Sequence, residues 1–144
     1  MNQKKRLLNL ISRSVDRLKY YSIKRFNDED VTITPSQMGI LFHLTMKGDM
    51  NMTSLSQLMG LDNSTLTRLV DKLVKAQFVE RIPNPEDRRG FIVCITDSGK
   101  IQAQKAALIS KEINARIIEG FTDHEIDVFI RVLESFFIKF KIDK

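Results

Sequence analysis

The chain has 144 residues, 42% hydrophobic and 28% charged, which suits one ordinary globular domain and excludes a disordered segment. Its formal net charge is +5 and its pI about 9.4, a balance that permits a polyanionic partner without requiring one. No apolar run approaches the ~20 residues needed to span a membrane, and a single cysteine excludes an internal disulfide.

The opening stretch, MNQKKRLLNLISR, has the superficial look of a signal peptide. Its apolar part is short, contains Asn9 and meets Arg13 without a small-residue cleavage site, so the expected address is the cytoplasm. Residues 4–26 read as a helix, with Leu8, Ile11, Val15 and Leu18 forming a narrow seam at spacings of three and four. This region is basic: Lys4, Lys5, Arg6, Arg13, Arg17, Lys19, Lys24 and Arg25 stand against Asp16 alone.

After DEDVTI (28–33) a second helix begins at Thr34, with Pro35 at its first position and Gln37 at its third. That is a capping box, and proline sits where its missing N–H costs nothing. Met38, Leu41, Phe42 and Thr45 are expected on one face, and Gly48 ends the helix. A short helix follows from about Ser54 to Met59, with Leu55 and Leu58 inward and Gly60 as its stop. Asp62 or Asn63 then caps a helix over about 64–76 with Leu66, Leu69, Val70, Leu73 and Val74 on its apolar stripe. The opposite face carries Ser64, Thr65, Thr67, Arg68, Asp71, Lys72 and Lys75. Two helices joined by a short glycine-containing turn, the second polar and basic outside, form a helix-turn-helix pattern.

Two strands are expected next, Phe78–Ile82 and Phe91–Thr96. The loop between them, Pro83 to Gly90, reads as too long for a two-residue turn, and it holds Glu86, Asp87, Arg88 and Arg89 at its tip: a wing. A long helix over 98–118 follows. A second capping box, Thr122 with Glu125, opens a last helix to about 141. That helix carries ten apolar side chains between Ile126 and Phe140, too many for a helix with one face in water. An intertwined dimer, with both terminal helices buried by a second copy, is the favoured reading.

Catalytic chemistry finds little support. His43 and His124 are far apart, and there is no HExxH, CxxC, P-loop or GxGxxG pattern. The adjacent acids Asp28, Glu29 and Asp30 point in different directions and make a poor metal site. Cys94, within FIVCIT, reads as a small buried thiol with no charge close by, rather than a redox sensor. Tyr20 and Tyr21 read as packing residues. No enzyme activity, cofactor or metal is expected.

A nucleic-acid reading gathers several features. Hydroxyls at the first turn of the 64–76 helix, where backbone N–H groups point outward, suit phosphates and base edges. Thr65, Thr67 and Arg68 are placed to reach bases and Lys72 a phosphate, while Thr53 and Ser54 donate to the backbone. Wing arginines fit the narrow, electronegative minor groove of A·T-rich DNA, with Asp87 orienting one of them. The competing reading is a winged-helix architectural protein whose affinity follows salt rather than sequence.

The run MTSLSQLMGLDNSTLTRLVDKLVKAQFVERIPNPEDRRGFIVCITDSGK (52–100) resembles the MarR family of winged helix-turn-helix regulators, and TPSQMGILFHL (34–44) fits the family's second helix. Asp87-Arg88-Arg89, followed by Ile95, Thr96 and Gly99, matches the family's wing signature. The resemblance implies a mainly α fold with a small β-wing. Residues 34–97 would form the winged-helix lobe, and 1–30 and 100–144 the dimerisation helices. It implies a homodimeric repressor on a pseudo-palindromic operator of double-stranded DNA. Asn63, Ser64 and the rest of the recognition helix would enter the major groove, Arg89 the minor groove, and Arg88 would lie near phosphate. Asp87 would hold the wing arginine by a salt bridge. Many members release DNA on binding a small anionic or phenolic effector.

Two departures stand out. The family commonly has glycine where this chain has Gln77. Glutamine strains a left-handed helix end, so a different ending and a tilted wing are expected. The first helix has Ser12 and Ser14 but no cysteine, which removes the oxidation-sensing route known from some members.

Overall fold

A computed structural model describes residues 6–141; Lys4 and Lys5 of the basic N-terminal cluster lie outside the described residues. The order is α1 (Leu7–Asp28), α2 (Pro35–Lys47), β1 (Met50–Asn51), α3 (Met52–Met59), α4 (Asn63–Lys75), β2 (Val79–Asn84), β3 (Asp87–Ile95), α5 (Asp97–Ile118) and α6 (Asp123–Lys139). Two compact units divide between Ile109 and Ser110.

In the first unit, nine side chains are essentially fully buried: Ile40, Leu41 and Leu44 of α2, Leu55 of α3, Leu66, Val70 and Leu73 of α4, Val79 of β2 and Val93 of β3. Each large one contributes about 1.5–3 kcal/mol by leaving water. The capping box of α2 forms as expected: Thr34 Oγ1 accepts from Gln37 N, and Thr34 N donates to Gln37 Oε1 at 2.8 Å. The buried face of α2 differs from the expected one. It is Gln37, Ile40, Leu41 and Leu44, while Phe42 is exposed and packs edge-on against His43, and Thr45 is exposed. In MGILFHL two helical phases are apolar, and the one containing Ile40 and Leu44 wins.

The short helix α3 starts earlier than expected, capped by Asn51, whose Oδ1 accepts from Ser54 N at 2.8 Å. Leu55 is buried, but Leu58 is 40% exposed rather than inward. Gly60 takes the left-handed conformation (φ 63°) that ends the helix. The sheet has three strands in the order β1-β3-β2, one more than expected: Met50 and Asn51 pair antiparallel with Val93 and Ile92.

The wing is more regular than its prolines suggest. The strands β2 and β3 run on to a two-residue turn, Pro85–Glu86, instead of stopping at an eight-residue loop. Pro83 pairs with Phe91 and Asn84 with Asp87, so Arg88, Arg89 and Gly90 face no residue of β2. That is a bulge in β3, which lets the long strand turn at its end.

In the second unit, Thr122 and Glu125 form the expected capping box at α6. No residue of α6 is buried, and Phe137 and Ile138 are each 82% exposed. The helix α1 likewise leaves Leu8, Leu10, Val15 and Ile23 exposed and buries only Phe26.

Candidate nucleic-acid interface

The helix α4 turns its apolar stripe inward and leaves Asn63, Ser64, Thr67, Arg68 and Lys72 exposed, with Thr65 half-buried. Its start is organised by one carboxylate. Asp62 Oδ1 accepts from Thr65 N (2.7 Å) and from Ser64 Oγ (2.7 Å), and Asp62 Oδ2 accepts from Thr65 Oγ1 (3.0 Å). Thr67 Oγ1 donates to Asn63 O at 2.7 Å. The Thr65 amide is thus already taken by the cap. This revises the expectation of outward-pointing N–H groups at that turn. Among the described residues neither Arg68 nor Lys72 is in an ion pair, whereas Arg81 of β2 pairs with Asp71 of α4 at 2.5 Å. That bridge ties the helix to the hairpin and removes Arg81 from the pool of available cations.

At the start of α3, Thr53 is exposed and Ser54 half-buried, with the Ser54 amide held by the Asn51 cap. The turn to α4 is fixed by Gly60 and by Ser56 Oγ donating to Leu61 O at 2.6 Å.

On the wing, Arg88 and Arg89 are exposed and form no ion pair among the described residues. Asp87 holds Arg89 differently from the expected salt bridge: its Oδ1 accepts the Arg89 backbone N–H at 3.0 Å. The carboxylate fixes the turn of the bulge and leaves both guanidinium groups outside. Asn84 Oδ1 does the same for Glu86 N at 3.0 Å.

The base of the wing is anchored to the end of α4. Gln77 does adopt the left-handed conformation (φ 62°), with Phe78 N donating to Leu73 O (2.9 Å) and Gln77 N to Val74 O (3.0 Å). These two bonds make a Schellman ending of the kind glycine usually permits. The expected alternative ending does not occur. Compensation comes from downstream: Thr96 Oγ1 (2.7 Å) and Ser98 Oγ (2.8 Å) both donate to Gln77 O, and Gly99 N donates to Thr96 Oγ1. A Cβ on Gly99 would sit 2.0 Å from Phe78 O, so only glycine fits. The Ile-Thr-x-x-Gly signature is therefore a clamp joining helix, hairpin and α5.

Cys94 is half-buried and does have charged neighbours, contrary to expectation: Asp49 and its cross-strand partner Glu80. Burial, then a hydrogen bond to Asp49 and the charges of Asp49 and Glu80, push the thiol up to about 11. That disfavours the reactive thiolate. Near α1, Asp28 and Glu29 pair with Lys24 and Arg25. A groove of about 750 Å³ lies between α1 and the segment leading into α2, lined by Val15, Leu18, Lys19, Phe26 and Ile33 among others.

The MarR family model matches residues 33–91. The chain is 37% identical over 101 residues to the HTH-type transcriptional regulator YsmB of Bacillus subtilis, covering 70% of this chain and 69% of that protein. It is 29% identical over 124 residues to the multiple antibiotic resistance protein MarR of Escherichia coli, covering 84% and 81%. The structure of a MarR family protein from Bacillus stearothermophilus superposes with a TM-score of 0.69 at 26% identity, covering 99% of each chain. The chain belongs to the MarR family of DNA-binding, winged-helix transcriptional regulators.

Proposed function

We propose that the protein is a cytoplasmic repressor that binds a pseudo-palindromic operator as a homodimer. The observation that carries this reading is the set of unpaired cations at two separated places: Arg68 and Lys72 on the outer face of α4, and Arg88 and Arg89 on the wing bulge. A helix face and a hairpin tip so equipped suit adjacent major and minor grooves. Asn63, Ser64, Thr65, Thr67 and Arg68 read base edges, while Lys72, Thr53 and Ser54 take phosphates. Arg89 enters the minor groove and Arg88 lies along its phosphate wall, with Asp87 shaping the bulge. The exposed apolar residues of α1 and α6 support a second copy as their cover. The groove beside α1, apolar but for Lys19 and a few hydroxyls and amides, suits a small anionic or phenolic effector.

The test is binding selection from a random duplex pool at near-physiological salt, with the mass of the complex measured alongside. An inverted repeat with half-sites about one helical turn apart, bound by two chains, is the expected result. A flat affinity across sequences that follows salt alone would replace it with the architectural reading.

A further inference from the structure

We propose that Asp62 is a positioning residue that sets which bases the recognition helix reads, an inference that rests on the operator-binding role of α4. The argument concerns hydrogen positions. A hydroxyl can donate or accept, so Ser and Thr ordinarily match either kind of base edge. Here the choice is made in advance. The proton of Thr65 Oγ1 is committed to Asp62 Oδ2, and that of Ser64 Oγ to Asp62 Oδ1. Thr67 Oγ1 has committed its own proton to Asn63 O. For Ser64 and Thr65 the acceptor is a carboxylate, which makes one of the stronger hydrogen bonds of its class, and turning either hydroxyl outward would give that charge-assisted bond up. All three oxygens therefore present lone pairs.

In the major groove, lone pairs are met by amino groups: N6 of adenine and N4 of cytosine. Guanine O6 and N7 and thymine O4 offer only acceptors there and repel them. An exposed donor on the same face is Arg68, whose fork matches guanine O6 and N7. The turn thus presents an acceptor patch at its N-terminal end and a donor one turn on. The half-site should place an adenine or cytosine under Thr65 and a guanine under Arg68.

Asp62→Asn tests this. Asparagine caps a helix as well as aspartate, so its amide oxygen keeps the Thr65 N–H and the fold. Its NH₂ then replaces Oδ2 opposite Thr65 Oγ1. The amide donates to that oxygen, and the Thr65 proton turns outward. Selection from a random duplex pool is run on wild type, D62N, T65V and T65S, with thermal melting as the fold control.

Wild type should favour adenine or cytosine at one position by roughly ten-fold. D62N should shift that position to guanine or thymine, leaving the Arg68 position unchanged. T65V should reduce the preference there to about two-fold or less, on the order of a lost single contact, and T65S should restore it. A wild-type motif reproduced unchanged by D62N, or a preference that survives T65V, overturns the inference while the operator reading stands. If D62N melts early, Asp62→Ser is read in its place: its hydroxyl still caps the Thr65 N–H but leaves Thr65 Oγ1 without its carboxylate acceptor, so the preference for adenine or cytosine should be lost, and a preference kept by D62S overturns the inference. No enriched motif for wild type would overturn the operator reading, and this inference with it.

Discussion

The helix α6 is richer in apolar residues than α4, yet α4 is the one that buries them within the chain. Three residues of α4, Leu66, Val70 and Leu73, are fully buried within the chain, whereas α6 buries none. One helix is finished by its own lobe, and the other presents apolar side chains that the described residues leave exposed. The difference teaches that stability and association are written on separate stretches. Core packing serves the winged-helix lobe, and the exposed apolar side chains of α1 and α6 are where the proposed second copy would act.

That separation can be broken from either side. Leu66→Ala should cost about 2–5 kcal/mol of folding stability, seen in urea unfolding as an effect independent of protein concentration. Phe137→Asp should leave the lobe folded by circular dichroism but raise the dissociation constant of the proposed dimer on the order of 100-fold, about 3 kcal/mol. Equal loss of fold in both variants would erase the distinction.

Within the winged-helix lobe, Arg89→Ala should weaken operator binding by about 1–3 kcal/mol without moving the melting temperature, since among the described residues Arg89 has no ion pair to lose. A smaller change is expected at the clamp. Gln77→Gly relieves a left-handed side chain and should stabilise the protein by about 0.5–1 kcal/mol, as long as Thr96 and Ser98 still reach the carbonyl.

At Cys94 the expected effect at neutral pH is nil. Its thiol lies above the ordinary value of 9.0, so its contribution to stability is complete below that pH and is lost as pH rises toward about 11. Native protein should react with iodoacetamide far more slowly at pH 8 than protein unfolded in urea. Equal rates would restore the thiol as a sensor candidate.

What the sequence made legible follows chain-local chemistry. The boxes Thr34–Gln37 and Thr122–Glu125 are short-range bonds, visible at a spacing of three. The two-residue strand β1 was invisible because its identity lies in its pairing with β3, some forty residues away. Asp49 and Glu80 reach Cys94 only through the sheet, so no sequence window holds all three. Pro83 and Pro85 read as loop because proline usually ends pairing, yet Pro83 lies on β2, which pairs only with β3. Of the candidate interface, the residue types and the helix were readable. The bonds of Ser64 and Thr65 were not, because they depend on where the Asp62 carboxylate folds back.

The bulge at Arg88–Gly90 has a wider consequence. From Val79↔Ile95 to Pro83↔Phe91 the ladder is locked pair by pair, and beyond it three residues of β3 stand outside the count. Adding or deleting one residue there would not flip Val93 out of the core, as it would in an uninterrupted hairpin. The wing is in this sense an adjustable reach, free to lengthen or shorten while the lobe behind it keeps its register.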